Sequence, residues 1–127
     1  MNEKAIRILF GLSALYDGVL GLLFLIAPTL PYELYEITPP NHRGYVRFPA
    51  ALLIIFGLMF VNIARNPHKH RDLIVYGILL KVAYCSVTFS YWLTEDIPII
   101  WKPFAVCDLV MGVLFVWAYR SLGKDAG

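Results

Sequence analysis

Residues 5–27 read AIRILFGLSALYDGVLGLLFLIA. The stretch is apolar apart from Arg7 near its start and Asp17 near its middle, and Pro28 closes it. A helix of about 20 residues crosses the ~30 Å hydrocarbon layer of a bilayer, so this run is long enough to span one. Three further runs of the same kind follow, at about residues 48–65, 72–93 and 97–120. Pro49 opens the second in a first-turn position, where a missing N–H does no harm. Asn66-Pro67 ends that run. The expected fold is therefore all-α: one membrane domain over residues 1–127, built as an antiparallel bundle of four transmembrane helices.

Composition points the same way. The chain has 127 residues, of which 59% are hydrophobic and 16% charged, against about 25% charged in an ordinary soluble domain. A chain this small has too little interior to bury so many apolar side chains in water. The net charge of +2 and the scatter of Lys and Arg at segment ends speak against nucleic acid as a partner. Lipid is the expected one, with a homo-oligomer or a larger membrane complex beside it. The charged opening Met1–Arg7 resembles a signal peptide. The apolar run behind it is long for that purpose and meets Pro28 and Pro31 rather than a cleavage site, so a retained signal-anchor helix is expected.

Basic residues set the expected orientation. Lys4 and Arg7 precede the first run, Arg65, Lys69 and Arg71 lie between the second and third, and Arg120 and Lys124 follow the fourth. The other side carries Glu33, Glu36, Glu95 and Asp96 against Arg43, Arg47 and Lys102. The positive-inside rule then places both termini in the cytoplasm. Tyr91, Trp92 and Trp101 near one end and Trp117 and Tyr119 near the other suit an interfacial aromatic belt. The outer loop, residues 28–47, alternates apolar residues with two glutamates and reads as an amphipathic connector, a short interfacial helix or a cap over the bundle mouth.

The chemistry lies in the intramembrane charges. Charge at the centre of a bilayer costs roughly +2.5 to +3.5 kcal/mol per residue on insertion scales, so it needs a partner, a wet cavity or a function. At 1.5 Å per residue, Asp17 and Asp108 lie about 18 Å and Lys81 about 15 Å from the inner side, and Arg47 hangs above them at about 27 Å. Two acids and two bases balance if they pair. Each shares a helical stripe with small or hydroxyl-bearing residues: Phe10, Ser13, Asp17, Gly21 and Phe24; Arg47, Ala50, Ile54, Gly57 and Val61; Gly77, Lys81, Tyr84 and Thr88; Ala105, Asp108, Gly112 and Phe115. Small residues mark close helix approach, which points the charges inward. The candidate site is therefore a ligand-binding or ion-pair cluster of Asp17, Arg47, Lys81 and Asp108, with Tyr16, Tyr45 and Tyr84 lining it. Asp17-x3-Gly21-x2-Phe24 recurs as Asp108-x3-Gly112-x2-Phe115, which fits either an inverted duplication or coincidence in an apolar background.

No catalytic residue, metal ligand set or cofactor is assigned. His42, His68 and His70 all lie in loops, and no nucleotide, zinc-protease or serine-hydrolase motif occurs. Cys85 and Cys107 lie in apolar runs without C-x-x-C spacing and read as small core residues.

Leu15-Tyr16-Asp17-Gly18, His42-Arg43-Gly44-Tyr45 and Trp101-Lys102-Pro103-Phe104 through Asp108, set in four spans, give the chain a layout that resembles the small bacterial DoxX-like membrane proteins. The resemblance implies a multi-pass protein of the bacterial inner membrane. DoxX is linked to a thiosulfate:quinone oxidoreductase, so a redox component acting with quinone is one function it implies. The charge cluster itself suggests binding or translocation of a small polar solute or a proton. An accessory or assembly subunit of a larger membrane complex is the third expectation.

Overall fold

The computed structural model describes residues 1–126, with side chains described as far as Gly123. Lys124, counted above among the basic residues at the chain's end, has its side chain outside that range. Among the described residues all regular structure is helical: α1 (Glu3–Ile26), α2 (Leu30–Leu34), α3 (Gly44–Arg65), α4 (Arg71–Thr94) and α5 (Trp101–Ala126). All but α2 contain an apolar stretch long enough to cross a membrane. Their outward faces are apolar, with Leu12, Leu15, Ile55, Leu58, Leu79, Val113 and others more than half exposed. Water disfavours such a surface and lipid does not, as a multi-pass membrane protein requires.

Local chemistry sets the helix ends. Asn2 caps α1, its Oδ1 accepting from Ala5 N at 2.8 Å, and Glu3 follows in the first turn, where the helix dipole favours an acid. The third helix starts earlier than the 48–65 run, at Gly44, so Pro49 lies inside it rather than in its first turn. The fourth span starts later than residue 97, because Pro98 and a turn with Trp101 N bonded to Pro98 O at 3.1 Å precede α5. Between α4 and α5, Asp96 holds the left-handed conformation (φ 63°). Its carboxylate accepts from Ile97 N and from Lys102, both at 2.9 Å, and the Lys102 hydrogen bond, the larger cause, draws its pKa below the ordinary value.

Adjacency runs α1–α3–α4–α5 and back to α1, which puts α1 diagonally across from α4. The closest pair is α1 with α3, followed by α4 with α5. Glycine explains the first: a Cβ on Gly21 would lie 2.7 Å from Ala50 O, and one on Gly57 would lie 3.3 Å from Ala14 O. Two arginines tie the ends of this pair. Arg7 donates to Arg65 O, the last residue of α3, at 3.0 Å, and Arg47 donates to Leu25 O near the end of α1 at 3.2 Å. Both meet terminal carbonyls that have no partner within their own helix.

Large side chains fill the space between the two pairs. Phe10, Phe60 and Phe115 are fully buried, with ring centroids 4.7–5.9 Å apart. Ile6, Ile63, Ile74, Ala118 and Leu122 complete this core. A second cluster at the other end gathers Phe24, Tyr32, Val46, Ala50 and Ile100. The cysteines depart from the expectation of core residues: both are free, Cys85 is half-buried and Cys107 is exposed on the outer face of α5.

Candidate functional site

Lys81 reaches from α4 into the bundle and is 1% exposed. Its Nζ donates to Asp108 Oδ1 at 3.2 Å on the adjacent α5 and to both carboxylate oxygens of Asp17 at 3.3 Å on α1. Asp17 is 1% and Asp108 8% exposed. The Asp17 contact crosses the bundle diagonal, and only a long, flexible side chain covers that distance. Room for its stem comes from Gly112, where a Cβ would lie 3.2 Å from Lys81 Cβ. The ammonium also lies 5.7 Å from the Tyr16 ring centroid and 5.9 Å from that of Phe60, within cation–π range.

Arg47 does not join this cluster. It lies on the exposed face of α3, one residue round from buried Val46, and is spent on the α1 terminus. The buried stripe of α3 is Val46, Ala50, Gly57, Phe60 and Ile63. Val61, placed on the inner stripe from sequence, is 41% exposed. The two acids therefore face one base, not two. With all three ionised, the group carries a net charge of −1 in an apolar setting. Removing Lys81 leaves two buried carboxylates uncompensated, at about 3–5 kcal/mol, whereas removing one acid leaves a balanced pair.

One side of the triad is closed by the Phe10–Phe60–Phe115 core. The other side opens onto a cavity of about 360 Å³. Both carboxylates line this cavity. Lys81 instead lines a smaller one, of about 210 Å³, together with Asp108, Cys85 and Gly112. The large cavity thus meets the acids and not Lys81. Its walls include Tyr16, Phe24, Tyr32, Tyr84, Trp101 and Phe104.

Among the other residues predicted for the site, Tyr84 donates to Trp101 O at 3.3 Å. Tyr16 is half-buried, and its hydroxyl oxygen is fully buried with no hydrogen-bond partner among the described residues. Tyr45 stands at the rim, 69% exposed. Of the readings the sequence left open for the 28–47 loop, the structure has the short helix and cap, with contacts whose residues the sequence did not single out. The short helix α2 buries Tyr32, whose ring meets Phe24 at 6.3 Å and Trp101 at 5.9 Å. Phe24 and Trp101 stack at 6.0 Å and 21°. Burial pushes the Tyr32 hydroxyl above its ordinary pKa. The alternation of apolar residues and glutamates in 30–37 carries this lid, and Trp101 read equally well as an interfacial anchor. No protein-family model, curated protein or solved structure matches the chain.

Proposed function

We propose that the Asp17–Lys81–Asp108 triad forms a binding site for a small polar solute or a proton, reached through the aromatic-lined cavity. The single observation that carries this reading is the imbalance of charge: one buried ammonium lies within 3.3 Å of two buried carboxylates. A proton or a cationic solute neutralises the remainder, and either can leave again on the cavity side. Asp17 and Asp108 act as acceptors and Lys81 holds them in place. Such groups are expensive in a bilayer and characteristically line substrate or proton paths. The same reading takes the chain as a DoxX-like protein of the bacterial inner membrane, its four spans antiparallel and both termini in the cytoplasm. Layout and the distribution of Lys and Arg support that part.

The test is proton and solute flux in proteoliposomes with an internal pH dye, under an imposed pH gradient. Asp17→Asn abolishes flux while circular dichroism and elution volume stay those of the wild type. A second variant, Asp17→Asn/Lys81→Met/Asp108→Asn, removes all the charge, so its folding depends on no buried ion. It folds and is equally inactive. Wild-type flux in either folded variant, or no flux in the wild type together with a stoichiometric partner protein on gentle extraction, overturns the proposal and favours an assembly role.

A further inference from the structure

We infer that the cavity takes a lipophilic protonated amine, its N–H group directed at Asp108 and Tyr16 and its apolar body held among the aromatic rings. This rests on the reading of the triad as a binding site and names the class of its ligand.

Three observations on different atoms converge. Lys81 reaches only Oδ1 of Asp108, and among the described residues no group donates to Oδ2. By contrast, both oxygens of Asp17 are engaged. Asp108 is also the more accessible acid, its side chain 12% exposed against 2% for Asp17. Asp108 thus brings to the lining of the cavity a carboxylate with one oxygen that accepts from no donor among the described residues. Tyr16 lines the same cavity, and its hydroxyl, buried just behind, has no partner among the described residues. An unmet buried polar group costs about 1–3 kcal/mol, and a donor from the ligand removes that cost.

The walls select the rest of the ligand. Aromatic faces carry negative electrostatic potential and attract a cation within about 6 Å. Tyr16, Tyr84, Trp101 and Phe104 surround the acids on the cavity side. An anion entering here meets carboxylates and ring faces without the shielded ammonium. A fully hydrated cation loses its water to apolar walls with little return. An amine with an apolar body satisfies both the floor and the walls. A quaternary ammonium has no N–H for Asp108 Oδ2 or Tyr16 Oη, so a protonated primary, secondary or tertiary amine is preferred. The volume of about 360 Å³ falls at the small end of ligand pockets, about 300–1,000 Å³.

Entry is from the lipid. The cavity borders the seam of α3 and α4, a looser pair than α1 and α3. Pro49, Leu52 and Phe56 of α3 face the cavity beside Leu80 of α4, and Leu52 is 39% exposed. An amphiphile already dissolved in the bilayer passes this apolar edge without crossing water.

The probes are 1-naphthylmethylamine, its neutral counterpart 1-naphthylmethanol, and its trimethylammonium analogue. Binding is measured by isothermal titration calorimetry on the full chain in phosphatidylcholine nanodiscs, with empty nanodiscs subtracted. The amine is expected to bind at least about tenfold more tightly than the alcohol, equivalent to about 1.4 kcal/mol, and more tightly than the quaternary analogue. Asp108→Asn keeps the side chain's shape and removes the preference for amine over alcohol, while alcohol binding persists as the sign of an intact cavity. Tyr16→Phe narrows the preference over the quaternary analogue. Equal binding of amine and alcohol by the wild type, or an undiminished preference in Asp108→Asn, overturns the inference. If the amine fails while Asp17→Asn still abolishes proton flux, the ligand class is wrong and the triad reading stands. If flux is also indifferent to Asp17→Asn, both fall.

Discussion

Arg47 and Lys81 look alike in sequence: each is a single cation in or beside an apolar run. Their environments differ completely. Lys81 is buried against two carboxylates, whereas Arg47 is exposed and donates to Leu25 O at 3.2 Å. A cation beside the last carbonyls of a helix contributes about 0.3–1 kcal/mol through the helix dipole. Arg47→Met should therefore lower the thermal stability of the detergent-solubilised protein by about 1 kcal/mol and leave flux and amine binding unchanged. Loss of flux comparable to that of Asp17→Asn would return Arg47 to the functional cluster. The difference turns on helical phase: Arg47 is three residues from buried Ala50 but adjacent to Val46, and it falls just outside the buried arc.

At the level of elements, the α1–α3 contact is the most constrained. A Cβ on Gly21 would lie 2.7 Å from Ala50 O and 2.8 Å from Ile54 Cγ1. The first of these atoms is backbone and moves only with its helix. Overpacking of this kind costs about 1–3 kcal/mol. Gly21→Val should reach the upper end of that range and separate α1 from α3, measured by thermal unfolding in detergent. Gly11 is the control. A Cβ there meets nothing within 4 Å, so Gly11→Val should be nearly neutral. The inward stripe of α1 was legible from spacing alone, because Phe10, Ser13, Asp17, Gly21 and Phe24 recur at helical intervals and all five are buried. The start of α3 was not, because Pro49 resembles a first-turn residue unless the preceding Gly44–Phe48 segment is already known to be helical.

Across the whole molecule the triad sits between two unlike ends. Toward one lies the packed Phe10–Phe60–Phe115 core, and toward the other the cavity with its Tyr32 and Trp101 lid. A path through the bundle therefore has a single open side, and the phenylalanine core closes the other. Phe10→Ala removes one ring of that core, at about 3–5 kcal/mol. It should also raise passive proton leak in proteoliposomes above the wild-type level. Loss of stability without any leak would show that the core does not close the path.

Four apolar runs, their spacing and the acid or base within three of them were enough to determine an all-helical protein suited to a bilayer, because hydrophobic length and helical period are properties of neighbouring residues. The inward direction of Asp17, Lys81 and Asp108 followed from the same periodicity. Which charges meet did not. Pairing depends on which helices lie adjacent and which lie diagonal, and on a glycine that makes room for the Lys81 stem. The tertiary structure alone decided that one ammonium serves two carboxylates, that Arg47 ties a helix end, and that both acids face an aromatic cavity. Those are relations between residues distant in the chain, set by how the helices pack.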